Sequence, residues 1–347
     1  MATNGKKATA GHQVAWVFDL NKCIGCQTCS VACKVLWNEG DEGSEHMWWM
    51  TVNTQPGKGT PKDWESMGGG YSNGELQLGK LPTAEEFGGG WDYNYDEVLH
   101  GGKGRSVHLQ KIAGSKTWGP NWDEDEGGGE WPNAYFFYLP RLCNHCTDAS
   151  CLEACPVGAL VKREEDGLVL RNEDVCEGNQ LCAAACPYKK IYFNAPRGVS
   201  QQCIGCFPRI EKGVAPACVR QCPGRAAFVG FIDDETSLVH RLVNQWKVAV
   251  PLHPEYGTKP NVFYVPPLAP APLNPDGSAN ENADRIPPQY LESLFGKDVH
   301  GALANLKAEL AKKRRGEASE VMDALILYEW KDALGPFSKD PAELVWK

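Results

Sequence analysis

The residues able to do chemistry here are cysteines: fifteen of them, gathered into four tight groups and found nowhere else in the chain. The first group is Cys23-x2-Cys26-x2-Cys29-x3-Cys33, and the second is Cys143-x2-Cys146-x4-Cys151-x3-Cys155 before Pro156. The third is Cys176-x5-Cys182-x3-Cys186 before Pro187, and the fourth is Cys203-x2-Cys206-x11-Cys218-x3-Cys222 before Pro223. An odd count argues against a complete disulfide framework, and thiols two apart rarely bridge without a redox role. Zinc could close on two Cys-x2-Cys pairs, but it does not explain three cysteines in a row with a fourth at x3. Polynuclear iron–sulfur clusters do. Cysteines two apart let a tight loop wrap one cluster corner by corner, its backbone N–H groups turned toward the sulfurs. The fourth, one helical turn on, faces the next cluster.

The run C-x2-C-x2-C-x3-C-P is that of bacterial ferredoxins, in which the last cysteine crosses to a neighbouring cluster. Group three departs from it. Where a further cysteine would stand, midway between Cys176 and Cys182, there is Asn179. Asn is a poor iron ligand beside a thiolate, so that corner is expected to lose its iron and leave a [3Fe–4S] cluster, with Asn179 as a tuning device. Three [4Fe–4S] clusters with four ligands each and one three-iron cluster with three then consume all fifteen cysteines. Pairing groups two and three gives one cubane on Cys143, Cys146, Cys151 and the crossing Cys186, and the three-iron cluster on Cys155, Cys176 and Cys182. Pairing groups one and four gives a cubane on Cys23, Cys26, Cys29 and Cys222, and another on Cys33, Cys203, Cys206 and Cys218.

The elements that must position these ligands follow. The expected fold class is α+β: two bacterial-ferredoxin-like two-cluster modules, one nested in the other. The outer module is split between 12–33 and 199–232, and the inner one spans 138–198. Residues 34–137 form a loop-rich insertion, with glycine runs at 68–70, 88–90 and 127–129. The cysteine-free stretch 34–142 holds eight of the twelve tryptophans, so aromatic packing rather than regular helix is expected there. Val14–Asp19 reads as a strand feeding group one. Ala159–Lys162 and Leu168–Leu170 read as a hairpin, and Lys190–Asn194 and Ala226–Ile232 as closing strands. In the C-terminal region, 233–347, Ser237–Val248 has the apolar spacing of an amphipathic helix. Residues 249–288, rich in proline, are expected to lie extended over a surface, and Gly301–Arg315 and Glu317–Trp330 to be helical.

Composition narrows the function. A net charge of −9 without a basic stripe excludes nucleic acid as a partner. No stretch approaches the roughly 20 apolar residues that span a bilayer, and the polar N-terminus is expected to carry no export signal. There is no P-loop, dinucleotide fingerprint or nucleophile elbow, so this chain is not expected to be catalytic by itself. His145, between two ligand cysteines, reads as a neighbour of the ligands rather than one of them. The acidic run Asp123–Glu126 and the basic Lys312–Arg315 read as a solvated loop and helix end. Two other classes remain for test: a self-sufficient redox enzyme and a zinc-stapled interaction module.

The stretches Asp19-Leu-Asn-Lys-Cys23-Ile-Gly-Cys-Gln-Thr-Cys29, Gly119-Pro-Asn-Trp-Asp-Glu-Asp125, Arg141-Leu-Cys-Asn-His-Cys146, Phe207-Pro-Arg-Ile-Glu-Lys-Gly213 and Arg220-Gln-Cys-Pro-Gly224 carry a resemblance. The chain resembles the iron–sulfur beta subunits of the dimethyl sulfoxide reductase superfamily of molybdenum enzymes. Within it, the type II branch is the nearer match: ethylbenzene and dimethyl sulfide dehydrogenases, perchlorate, chlorate and selenate reductases, and relatives of nitrate reductase and nitrite oxidoreductase. The long beta subunit of cytoplasmic nitrate reductase is larger and often has Trp where Asn179 stands. The resemblance implies an alpha subunit with a bis-molybdopterin guanine dinucleotide molybdenum site, and a gamma subunit with haem b or a membrane anchor. It implies that the Cys23 cubane faces alpha, followed by the Cys33 and Cys143 cubanes, with the three-iron cluster facing the haem. It also implies a periplasmic location through co-export with alpha, the cytoplasmic membrane face being the alternative.

Overall fold

The computed structural model describes residues 12–101, 103–115, 117–121 and 126–343. Part of the Gly119–Asp125 stretch and most of the Asp123–Glu126 acidic run lie outside them.

The organising element is the strand Val14–Asp19, as its sequence suggests. All six residues are buried, which explains why Val-Ala-Trp-Val-Phe-Asp reads as a nearly continuous apolar run: both faces are covered. It pairs antiparallel with Ala227–Phe231, with Phe18 opposite Ala227. On its other side it pairs parallel with Val262–Val265, Trp16 opposite Val262, and Val250–Pro251 completes the four-stranded sheet. Successive side chains point to opposite faces. Val14, Trp16 and Phe18 enter a core shared with Cys33, Cys203 and Cys218. Ala15 and Val17 enter a second core with Leu306, Val321 and Leu325 of the C-terminal helices. One sheet therefore has a cysteine side and a helix side.

Val262–Val265 corrects the expectation that 249–288 lies extended over a surface. Its four residues are fully or almost fully buried, and it runs inside the sheet. The flanking prolines disguised a short apolar strand, but proline is compatible with a strand's ends. The later part, 269–285, is half-buried to exposed throughout.

Ser237–Val248 is shorter than an amphipathic helix of that span. An α-helical turn, Leu238–His240, widens into a π turn at Arg241–Gln245, closed by the Trp246 N–H on the Arg241 carbonyl at 2.7 Å. The C-terminal helices run Asp298–Arg314 and Glu320–Ile326. The Ser319 hydroxyl caps the second by accepting the Met322 N–H at 3.1 Å.

The long cysteine-poor stretch begins and ends in one ribbon: Thr51–Gln55 pairs antiparallel with Phe137–Arg141, Asn53 opposite Leu139. Between them aromatic contacts dominate, as with Phe87 against Tyr192 at 4.8 Å and Trp64 edge-on to His253 at 5.4 Å. Two hairpins, Leu160–Lys162 with Val169–Arg171 and Ile191–Asn194 with Val199–Gln202, flank groups two and three. Among the described residues no helix is long and apolar enough to cross a membrane.

Candidate iron–sulfur sites

None of the fifteen cysteines is in a disulfide. Cys23, Cys26, Cys29 and Cys222 all line one cavity, together with Phe18, Val52 and Pro140. The sheet explains their meeting. Because Phe18 lies opposite Ala227, the loop leaving the first strand and the turn entering the other emerge at one sheet end, and 199 residues of sequence separation vanish (222 less 23). Cys222 Sγ accepts the Ala226 N–H at 3.3 Å. Gly25 is required beside Cys23: its φ is +65°, and an added Cβ would come within 2.6 Å of the Tyr138 ring.

Cys33, Cys203, Cys206 and Cys218 line a second cavity, walled by Trp16, Trp37, Trp49, Met50 and Leu142. All four are buried. Cys206 Sγ accepts the Trp37 indole N–H at 3.1 Å, and Cys203 Sγ accepts the Gly205 N–H at 3.4 Å. Two helices join the cavities. Thr28–Trp37 carries Cys29 and Cys33 one turn apart, so each lines a different cavity. Ala217–Arg220 packs against it and presents Cys218 to both.

Cys143, Cys146, Cys151 and Cys186 are mutual electrostatic neighbours. Cys151 rides on the turn Ser150–Glu153 and Cys186 ends Leu181–Ala185, and these two short helices pack together. Of the last three, Cys176 and Cys182 share one donor, the Arg171 guanidinium, at 3.8 and 3.5 Å. Cys155 packs into the same apolar cluster as Cys182 and accepts the Ala159 N–H at 3.3 Å. Asn179 is exposed, and its Oδ1 accepts the Leu181 N–H at 3.2 Å. Its side chain is thereby turned to the start of the following helix.

Electrostatics test whether an anionic metal cluster suits these walls. Burial pushes the Cys23 thiol up to about 11, and those of Cys29 and Cys143 up to about 12. Such thiols become thiolates only when cationic metal replaces the proton. Cys176 goes the other way: burial raises it, but backbone N–H groups of Ser200 and Gly178 and the Arg171 guanidinium outweigh that and lower it. Cations complete the picture. Lys190 is buried and donates to the Trp48 carbonyl at 3.3 Å and the Thr51 hydroxyl at 3.2 Å, within electrostatic reach of Cys203, Cys33 and Cys186. Arg141, also buried, stacks 3.5 Å from the Trp64 ring and donates to the Tyr188 carbonyl at 2.6 Å. Lys190 forms no ion pair with a carboxylate among the described residues, whereas Arg141 has Glu65 within electrostatic reach. A buried cation without a counter-charge is costly, and thiolate-ligated clusters of net negative charge would supply it. The residues fit the group.

Among the described residues, no three or more His, Cys, Asp or Glu side chains converge on a single metal ion; the thiols of the first two quartets stand around cavities instead. Lys162, Arg171, Lys190 and Trp37 escaped the sequence reading. Lys190 follows Cys186 by four residues and Arg171 precedes Cys176 by five, so proximity to a ligand was the available signal. Lys162 reaches the carbonyls of His145, Cys146 and Gly167 at 3.2, 3.1 and 2.7 Å and ties the second cysteine loop down.

Residues 134–232 match the family model of the 4Fe–4S dicluster domain. Selenate reductase subunit beta of Thauera selenatis is 54% identical, over 93% of this chain and 98% of that protein. Dimethylsulfide dehydrogenase subunit beta of Rhodovulum sulfidophilum is 52% identical, over 91% and 96%. The Escherichia coli respiratory nitrate reductase 1 beta chain is 35% identical, over 89% and 81%. With the cysteine-lined cavities and their buried cations, these likenesses lead to one conclusion: the chain belongs to the family of iron–sulfur beta subunits, the non-catalytic electron-transfer components of such oxidoreductase complexes.

Proposed function

We propose that this subunit holds three [4Fe–4S] clusters and one [3Fe–4S] cluster and passes single electrons between a molybdenum alpha subunit and a haem b gamma subunit. The ligand sets are Cys23, Cys26, Cys29 and Cys222; Cys33, Cys203, Cys206 and Cys218; Cys143, Cys146, Cys151 and Cys186; and, for the three-iron site, Cys155, Cys176 and Cys182. The observation that carries this reading is the pair of adjoining cavities, each lined by one complete quartet, that share Cys218. When bound, the clusters supply one-electron redox capacity at potentials set by cluster type, hydrogen bonds to sulfur and exposure. The chain spaces them, dries them with tryptophan, and offers Lys190 as a counter-charge.

The nested arrangement, with an outer module of 12–33 and 199–232 around an inner one of 138–198, belongs to the same reading. It is supported by the pairing of Val14–Asp19 with Ala227–Phe231. The orientation is supported by surface chemistry. Ile24, Val31, Val35 and Leu36 stand exposed on the loop and helix that carry Cys26 and Cys29, a suitable face for the alpha subunit. Val161, Val175 and Leu181 stand exposed near Cys176 and Cys182, a suitable face for the haem subunit or a membrane anchor. Co-export with alpha would place the complex in the periplasm, and cell fractionation decides that against the cytoplasmic membrane face.

The test is metal analysis with electron paramagnetic resonance on the intact complex. About fifteen irons per chain are expected (four per cubane and three for the incomplete cluster), with the signal of an oxidised three-iron cluster. A colourless, zinc-loaded protein would sink the reading in favour of an interaction module. Substrate turnover by the isolated subunit would sink it in favour of a self-sufficient enzyme.

A further inference from the structure

His145 lies between Cys143 and Cys146, with a backbone φ of 42° and no solvent exposure. Its backbone is fixed from two sides: the carbonyl accepts from Asn261 Nδ2 at 2.9 Å and from Lys162 Nζ at 3.2 Å. Its ring Nδ1 accepts the Val169 N–H at 3.1 Å. A nitrogen that accepts carries no proton, so the neutral ring holds its proton on Nε2. That N–H has no hydrogen-bond partner among the described residues, a costly state for a fully buried donor. Buried donors are seldom left so.

The direction of this donor is informative. A Cβ added to Gly205 would lie 3.3 Å from His145 Nε2. Gly205 sits in Cys203-Ile-Gly-Cys206 and lines the cavity of the second quartet. Trp16, stacked on the imidazole at 5.5 Å between centroids, lines that cavity too. Gly205 has φ of +61°, and a side chain there would also strike Leu168 at 2.6 Å. Glycine therefore keeps the space before Nε2 open. His145 thus belongs by sequence to the loop of one quartet and turns its unused donor toward the other.

We propose that the His145 Nε2–H donates a hydrogen bond to a sulfur of the cluster held by Cys33, Cys203, Cys206 and Cys218, so that a residue in the third cluster's loop sets the potential of the second. This rests on the iron–sulfur reading above. A donor to sulfur stabilises the more negative, reduced state and raises the potential. His145 is a positioning and tuning residue for that cluster, not one of its ligands.

The experiment is a potentiometric titration of the intact complex followed by electron paramagnetic resonance, comparing wild type with His145→Phe and His145→Gln. The cluster in question is identified as the signal altered or lost in Cys206→Ser. In His145→Phe the iron content should be retained and that one cubane should become harder to reduce. A tenfold change in its one-electron equilibrium, about 59 mV, is expected, with part of it restored in His145→Gln. An unchanged potential, or a shift confined to the Cys143 cubane, overturns the proposal. Should His145→Phe fail to assemble, wild-type complex grown on 15N-histidine decides by pulsed resonance: nitrogen coupling to the Cys206 cubane supports the proposal and its absence overturns it. A wild-type complex without iron clusters would instead overturn the reading beneath it.

Discussion

Arg171 and Cys182 are joined by a charged hydrogen bond, the guanidinium Nη2 lying 3.5 Å from Sγ. The same side chain reaches Cys176 at 3.8 Å and is anchored by the Gln202 side-chain Oε1, which accepts from it at 3.0 Å. Charge-assisted donors are about twice as strong as neutral ones. Arg171→Met should lower the potential of the Cys155, Cys176 and Cys182 cluster by about 59 mV, a tenfold shift in its equilibrium. Arg171→Lys should recover little, because an ammonium cannot fork to two sulfurs. Potentiometric titration of the three-iron signal checks both.

Asn179→Cys should supply the missing thiolate. The expected product is a fourth cubane of lower potential, with iron rising from about fifteen to about sixteen per chain. Loss of the oxidised three-iron signal is the readout. Asn179 is exposed, so the substitution should cost little more in folding than the lost bond from the Leu181 N–H to its Oδ1, about 0.5–1.5 kcal/mol.

Lys190→Met separates the roles of cation and packing. A buried ammonium without a carboxylate burdens the cluster-free chain, so its replacement by an apolar side chain should stabilise that form by about 1–4 kcal/mol. The loaded form should respond in the opposite sense, losing a counter-charge near Cys33, Cys203 and Cys186. Denaturation of both forms, read as a change of sign, is the measurement. A destabilisation of both would reject the counter-charge role.

Gly25→Ala should empty the first site. Its φ of +65° strains any side chain, and the new Cβ would press into the Tyr138 ring at 2.6 Å. A loss of about four irons per chain, with the remaining signals retained, is expected by metal analysis.

Cluster retention should rise with pH. Cys23, Cys29 and Cys143 have thiols pushed up by burial to between about 11 and about 12, so the cluster-free chain holds these protons through neutral pH while the loaded chain does not. The loaded state binds fewer protons, and linkage then favours loading as pH rises toward 11. Acidification should release clusters, followed as the loss of visible absorbance. Release on raising the pH from 7 to 9 would contradict the assignment.

Much of this was legible in one dimension. Val14–Asp19 was readable as a strand because six apolar or buried positions in a row report burial on both faces. The hairpin around Glu164–Gly167 was readable because a turn lies between two short apolar runs. Val262–Val265 was missed because four residues between prolines carry too little periodicity to outweigh their surroundings, and only pairing with Val14–Asp19 reveals its place. The widened turn at Arg241–Gln245 has the same apolar spacing as an ordinary helix, so nothing in the residue pattern distinguishes it.

The kind of ligand and its grouping needed no coordinates, since a loop that wraps a metal cluster fixes its cysteines within a few residues of each other. What surrounds those loops is a matter of distance through space. That Cys23 and Cys222 share a cavity depends on the antiparallel register of two strands. That Trp37 meets Cys206, Lys190 comes within reach of Cys33, and His145 faces Gly205 depends on the packing of segments far apart in the chain. Burial and charge, which govern a cluster's potential, arise only when those segments close around it.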